Sequence, residues 1–307
     1  MKHIRIATRA SKLAMTQTGH VRDMIKTICP DADISFVHVS TKGDRDKTDF
    51  LHKVDSVGFF TSEVENALLQ NEADIAVHSL KDLPTTITEG LTIAAIPPRE
   101  SVCDVMVAGV NINSINDLPQ GAKVGTSSLR RIAQLKHLRS DLNCQPLRGN
   151  VETRVNKVKS GEYNAIIIAQ AGLNRLSMSD NISAVLTAEE FVPAPGQGAL
   201  AVQTRSDDKE LLELLSAIDN EQARITTGIE RSILAKLHGG CSIPLGVYSQ
   251  VEKDEISLIA VISNVDATRY VRKTAKCAIS DSEIIAGKIA AELLDEGGRE
   301  ILEEIRH

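Results

Sequence analysis

A unit of short apolar strand, polar turn and amphipathic helix occurs twice along this 307-residue chain, and that repetition leaves few folds open. In the first copy, residues 4–7 read as a buried strand and Thr8-Arg9-Ala10-Ser11 as a polar turn with Ser11 as N-cap. Residues 12–28 follow as an amphipathic helix. Then come a strand at 34–40, a helix at 62–71 and a buried strand at 74–79. The second copy runs strand 123–125, turn Thr126-Ser127-Ser128, helix 129–138, strand 144–147, helix 151–160 and strand 165–170. Helices between short apolar strands predict parallel sheets with right-handed crossovers. Ligands of such sheets bind at the carboxyl ends of the strands.

The expected fold is therefore α/β: two periplasmic-binding-protein-like βαβαβ domains with a double crossover around a cleft, plus a small α+β domain at the C-terminal end. Pro97-Pro98-Arg99-Glu100 and Phe191-Val192-Pro193-Ala194-Pro195-Gly196-Gln197-Gly198 read as the two crossings. Residues 198–204 are expected to return a strand to the first sheet. Residues 41–55, rich in Lys and Asp with one Gly, read as a loop. From Glu221 the pattern changes to one helix, strands near 247–251, 256–263 and 270–275, and a helix from 282 to about 305. The domains expected are residues 1–98 plus 198–218, residues 103–192, and residues 221–307.

Composition narrows the function classes. A net charge of −6 gives no global basic field for nucleic acid or an anionic membrane. Aromatic content of 3% with no Trp argues against base-stacking platforms. The five cysteines (Cys29, Cys103, Cys144, Cys241 and Cys277) lack CxxC spacing, so neither a disulfide framework nor a zinc site is expected, and a reducing cytoplasm fits best. No apolar run is long enough to cross a membrane, and the N-terminus lacks the apolar core of a signal peptide.

The informative positive charge is local. Arg9 and Ser11 lie in the first strand-to-helix turn, and Thr126, Ser128, Arg130 and Arg131 in the equivalent turn of the second copy. Helix N-termini present free N–H groups and a positive dipole end; hydroxyls and guanidiniums there suit carboxylates or phosphates. Arg148 and Arg154 flank a Gly-Asn turn, and Arg175 follows the last strand. One such turn alone would read as capping plus solvated arginines; two in equivalent places favour a ligand with several negative groups. No GxxxxGK[ST] or GxGxxG occurs, so a nucleotide is not favoured. Asp82, in Val77-His78-Ser79-Leu80-Lys81-Asp82-Leu83-Pro84, projects beyond a strand's carboxyl end. It could stabilise a developing cation or pass a proton, or simply hold the turn before Pro84. His78 and His238 read as structural histidines, and no metal site is expected. Cys241, between Gly239-Gly240 and Pro244, reads as an attachment point. A solute-binding protein for a small polyanion and a Cys-dependent hydrolase using His238 remain alternatives.

Taken together, these segments resemble the porphobilinogen deaminase (hydroxymethylbilane synthase) family. The resemblance rests on Ile6-Ala7-Thr8-Arg9-Ala10-Ser11-Lys12-Leu13-Ala14, Val77-His78-Ser79-Leu80-Lys81-Asp82-Leu83-Pro84-Thr85 and Val124-Gly125-Thr126-Ser127-Ser128-Leu129-Arg130-Arg131. It continues through Leu147-Arg148-Gly149-Asn150-Val151, Pro195-Gly196-Gln197-Gly198-Ala199 and Gly239-Gly240-Cys241-Ser242-Ile243-Pro244, all in the family's order. The resemblance implies a transferase of haem and tetrapyrrole biosynthesis. Four porphobilinogen units are joined head to tail with loss of ammonia on a dipyrromethane cofactor, and hydrolysis then releases hydroxymethylbilane. By motif, Cys241 carries that cofactor through a thioether, and Asp82 holds pyrrole N–H groups and stabilises a cationic azafulvene. Lys81, Asp82, Thr126, Ser128, Arg130, Arg131 and Arg154 are implied at the cofactor. Arg9, Ser11, Arg148, Arg154 and Arg175 are implied at the substrate or growing polypyrrole, and Gln197 near a crossing. A cytoplasmic monomer is implied, with uroporphyrinogen-III synthase as recipient of the product. Two departures stand out: Val57 and Ser62 replace family lysines, and Gln203-Thr204 stands where the family often has Glu-Cys.

Overall fold

The computed structural model describes residues 3–41, 61–109, 112–237 and 243–306. The chain forms two compact units, Met1–Glu100 with Gly198–Ile225, and Ser101–Gln197 with Thr226–His307. The first contains β1 (His3–Arg9), α1 (Lys12–Ile28), β2 (Asp33–Val39), α2 (Ser62–Leu69), β3 (Ile75–Ser79), β4 (Leu91–Ala95), β10 (Leu200–Arg205) and α6 (Lys209–Ser216). The second holds β5 (Asp104–Ala108), β6 (Lys123–Gly125), α3 (Leu129–Leu138), β7 (Asn143–Gln145), α4 (Val151–Lys159), β8 (Ala165–Ala169), α5 (Gln170–Arg175) and β9 (Ala184–Leu186). It continues with α7 (Glu221–Lys236, which begins at the end of the first unit), β11 (Leu245–Glu252), β12 (Glu255–Ser263), β13 (Tyr270–Ala278), α8 (Ser282–Leu293) and α9 (Arg299–Arg306).

The two large sheets share one plan. Their orders are β2-β1-β3-β10-β4 and β7-β6-β8-β5-β9. In each, the first strand of the βαβαβ unit lies between the second and third and runs parallel to both. The fourth position is antiparallel, filled by β10 in the first sheet and β5 in the second. Residues 198–204 thus return a strand to the first sheet, as the sequence suggests, but the sheets are mixed, not wholly parallel. Strands β4, β5 and β9 also escape the sequence reading. Each is short and pairs with an antiparallel neighbour, so no helical crossover announces it.

Side-chain alternation sets which helix covers which face. Ile4, Ile6, Ile75 and Val77 point to the side packed by Val21 and Ile25 of α1. Ala7 and Ala76 point to the other, where Val64, Ala67 and Leu68 of α2 close the core. In the second sheet, Met106, Val124 and Ile167 pack with Leu135 of α3, while Val105, Ile166 and Ile168 pack with Val155 of α4.

A third, antiparallel sheet, β11-β12-β13, completes the α+β portion. Glu230 of α7 is fully buried and accepts from Gly196 N at 2.7 Å and from Ser249 N and Oγ at 3.1 Å, which ties α7 to β11. The segment between α7 and β11 carries His238 and Cys241, both outside the described residues, as are Val57 and most of the 41–55 loop. The helix expected from 282 to about 305 is broken into α8 and α9. Gly297 takes φ +119°, and a Cβ on Gly298 would lie 2.4 Å from Leu293 O, so Gly297-Gly298 permits a kink that side chains would forbid.

Candidate active site

In the first unit the site is built at the carboxyl ends of β1 and β3. Ser11 caps α1, accepting from Ala14 N at 3.3 Å, and so fixes the turn that carries Arg9. Beyond β3 the chain enters a 3-10 turn, Leu80–Asp82. Leu80 N donates to Ala199 O at 3.0 Å, and Leu83 N to Leu80 O at 3.2 Å, so Asp82 sits on a short anchored turn. Lys81 is half-buried and Asp82 exposed. Arg9 and Asp82 line one small pocket together with Gln17, Thr61, His78 and Ser79. Gln17 Nε2 donates to Ser79 Oγ at 2.9 Å.

His78 lies on the α2 side of the sheet, bonded through Nε2 to Gln203 Oε1 at 3.1 Å. Gln203 Nε2 in turn donates to Glu65 Oε1 at 2.8 Å, and Thr88 Oγ1 donates to Glu65 Oε2 at 3.1 Å. Because the Gln203 amide spends its N–H on Glu65, its oxygen faces His78, which must present Nε2–H. Burial pushes His78 from an ordinary 6.5 down to about 4; the Gln203 bond opposes this and the Arg9 charge adds to it. The unfolded chain therefore takes up this proton first. Its stabilising contribution is whole above pH 6.5 and is lost as pH falls toward 4, a loss of about 3 kcal/mol. Urea titrations across that window should show a shallower decline in stability for His78→Gln than for the unsubstituted chain.

In the second unit the equivalent turn is built the same way. Ser128 caps α3, accepting from Arg131 N at 3.4 Å, and Ser128 N donates to Thr126 Oγ1 at 3.3 Å. Ser127 Oγ donates to Leu147 O at 3.0 Å and accepts from Leu147 N at 2.9 Å, which brings this turn beside the one carrying Arg148. Asn150 caps α4, accepting from Thr153 N at 2.8 Å, and Arg154 Nε donates to Gly149 O at 2.7 Å. Gly149 has φ +115°, and a Cβ there would meet Thr153 Cγ2 at 2.8 Å, so this turn requires glycine. Arg148 and Arg154 are half-buried, as is Arg175 at the end of α5.

Arg130 and Arg131 are buried, at 4% and 8% exposure, and converge on Asp104 at the start of β5, which has none. Arg130 donates to Asp104 Oδ2 at 2.8 Å and to Val192 O at 2.8 Å. Arg131 donates to Asp104 Oδ1 at 2.7 Å and to Ile167 O at 3.2 Å. Gln197 Nε2 adds bonds to Asp104 Oδ1 at 3.0 Å and to Val102 O at 2.7 Å. Burial by itself would raise the Asp104 pKa, but the two guanidiniums outweigh it and hold the carboxyl well below the usual carboxylate range. Two guanidiniums against one carboxylate leave the cluster one net positive charge at the first turn of α3, where the helix dipole has the same sign. Asp104 escaped the sequence reading. Its only signal there is a charged residue opening the apolar run Val105-Met106-Val107-Ala108.

Residues 4–213 match the family model described as porphobilinogen deaminase, dipyromethane cofactor binding domain, and residues 225–295 match the model of the porphobilinogen deaminase C-terminal domain. The chain belongs to the porphobilinogen deaminase family. A porphobilinogen deaminase of Maridesulfovibrio salexigens is 41% identical over 305 residues, covering 99% of both chains. One from Nostoc sp. is 42% identical over 304 residues, covering 98% of this chain and 94% of its own. The periplasmic aliphatic sulphonate binding protein SsuA of Escherichia coli superposes with a TM-score of 0.40 at 15% identity, over 78% of this chain and 71% of that one. The fold assignment rests on the strand orders, not on that likeness.

The residues present fit the cofactor that defines the family's larger domain. A dipyrromethane carries several carboxylates, and this chain offers hydroxyl- or amide-capped N-termini at α1, α3 and α4 with cations beside each. Thr61 lines the Asp82 pocket, and its buried hydroxyl has no hydrogen-bond partner among the described residues. Among the described residues no group of His, Cys, Asp and Glu could hold a metal ion, and no helix is long and apolar enough to cross a membrane.

Proposed function

We propose that this chain joins four porphobilinogen molecules head to tail with release of ammonia, on a dipyrromethane primer carried by Cys241, and then hydrolyses the product free as hydroxymethylbilane. The observation that carries the reading is the match of both family domains, with Asp82 and Arg9 lining one pocket. When bound, the dipyrromethane supplies the pyrrole carbon at which the chain grows. Asp82 accepts hydrogen bonds from pyrrole N–H groups and stabilises the positive charge left when ammonia departs. Arg9 and Ser11 at the start of α1, and Arg148, Arg154 and Arg175 in the second unit, neutralise acetate and propionate groups of the substrate and growing chain. Lys81, Thr126 and Ser128 hold the primer's carboxylates. Arg130 and Arg131 act there through the net charge they keep beside Asp104. The three sheets support a division into domains at residues 1–98 plus 198–218, 103–192 and 221–307. A cytoplasmic monomer that passes its product to uroporphyrinogen-III synthase completes this reading.

Intact mass of the purified chain, with mapping of the peptide that contains Cys241, tests the reading. Two linked pyrroles added to Cys241 are expected, and Cys241→Ser should lack them and make no hydroxymethylbilane. A Cys241 that stays unmodified even after incubation with porphobilinogen would overturn the assignment.

A further inference from the structure

We propose that Gln134 is a positioning residue for the primer: it fixes Val192, and Val192 joins the Arg130 guanidinium on one side to β11, the strand that follows Cys241, on the other. The inference rests on the function proposed above. Gln134 touches neither substrate nor primer in this reading and acts only through what it holds.

The first argument is how completely Val192 is held. Gln134 and Val192 are both buried. Gln134 Oε1 accepts from Val192 N at 2.6 Å, and Gln134 Nε2 donates to Val192 O at 2.9 Å. One side-chain amide thus takes both polar groups of a single residue, as a paired strand would. Val192 O also accepts from Arg130 Nη1 at 2.8 Å, while Arg130 Nη2 donates to Asp104 Oδ2 at 2.8 Å. Arg130 and Gln134 stand one turn apart on α3, at i and i+4, so both reach the same carbonyl from one helix face. A buried guanidinium keeps its place only while its acceptors keep theirs. Gln134 fixes one of them, and the Phe191 ring, 6.0 Å from Arg130 Cζ, lies beside it.

The second argument is what lies against Val192 on its other side. A Cβ on Gly246 would be 2.7 Å from Val192 O and 2.9 Å from Val192 Cβ, so only glycine lets β11 come this close. Gly246 is not among the residues with positive φ, so the close approach alone requires it. Val247 N then donates to Pro193 O at 2.9 Å. Strand β11 is registered on Val192-Pro193, and Cys241 precedes Gly246 by five residues in sequence. A shift of Val192 would therefore move two things at once: the guanidinium kept for the primer's carboxylates, and the anchored strand that follows the cysteine bearing its thioether. Removing Gln134's amide would leave the buried Val192 N–H without that acceptor, which favours such a shift.

The test follows attachment of the primer, not turnover. The full-length chain, produced without porphobilinogen so that Cys241 is bare, is mixed with porphobilinogen, and the mass gained at Cys241 is followed with time. Gln134→Met keeps the length of the side chain and removes both bonds. Gly246→Ala presses on Val192 from the opposite side and leaves Gln134 in place. Leu142→Ala is the control: Leu142 is fully buried just before β7, at the amino ends of the parallel strands, and its truncation lowers stability without removing any of these bonds. Urea titration places every variant well inside its folded range. Loss of the Gln134 bonds predicts loading about tenfold slower in Gln134→Met. Gly246→Ala should load more slowly as well, and Leu142→Ala should stay close to the unsubstituted rate. A folded Gln134→Met or Gly246→Ala that loads as fast as Leu142→Ala overturns the proposal, and if one of them does not fold the other decides. An unsubstituted chain that never gains two pyrroles sinks the proposed function instead, and this inference with it.

Discussion

Asp82→Asn is expected to lower kcat by about two to three orders of magnitude while leaving the fold intact. Asparagine keeps the shape of the side chain and removes the charge that the proposed function sets against the cation left when ammonia departs. The 3-10 turn Leu80–Asp82 is held by the backbone bonds of Leu80 to Ala199 and of Leu83 to Leu80, neither of which involves the carboxylate. Asp82 is itself exposed, so its replacement disturbs little packing. Rates of hydroxymethylbilane formation and thermal unfolding, taken on the same preparation, check this. A kcat within a factor of two of the unsubstituted chain would show that Asp82 only holds the turn before Pro84.

The largest loss of stability is expected from Asp104→Ala. It would leave two guanidiniums, 4% and 8% exposed, with no carboxylate partner. Removing one partner of a buried ion pair costs about 3–5 kcal/mol, because the remaining charge stays desolvated. The Gln197 bond to Asp104 is lost with it. The unfolding midpoint in urea should fall accordingly. Activity should fall as well, since Arg130 lies at the first turn of α3 and Asp104 fixes where its charge sits. A change in stability below about 1 kcal/mol would show that water reaches the cluster and replaces the carboxylate.

Much of the site was legible because its chemistry is local in sequence. Ser11, Ser128 and Asn150 are helix caps, and a cap with an adjacent arginine can be read from a few residues. Helix α1 was placed at 12–28 from periodicity and a cap alone. Cys241 reads as an attachment point from its Gly-Gly and Pro neighbours, but what it would carry came only through resemblance, because no periodicity or spacing within the chain identifies what a thiol carries. The short antiparallel strands β4, β5 and β9 were not legible, although the return of β10 to the first sheet was. A three- to five-residue apolar run does not say which neighbour it will pair with, and β10 reaches its partners β3 and β4 from more than a hundred residues away.

The sequence by itself determined the twofold βαβαβ plan, the capped turns that place Arg9, Ser11, Thr126, Ser128, Arg148 and Arg154 at strand ends, and the family. Those depend on side-chain periodicity and on hydrogen bonds spanning three or four residues. Only the tertiary structure decided that Asp104 takes both Arg130 and Arg131, that burial holds His78 neutral against its bond to Gln203, and that the Thr61 hydroxyl makes no capping bond to its helix. Each of these depends on burial and on partners distant in the chain. A charge or hydroxyl acquires its role when packing removes water from around it, and no stretch of sequence contains that information on its own.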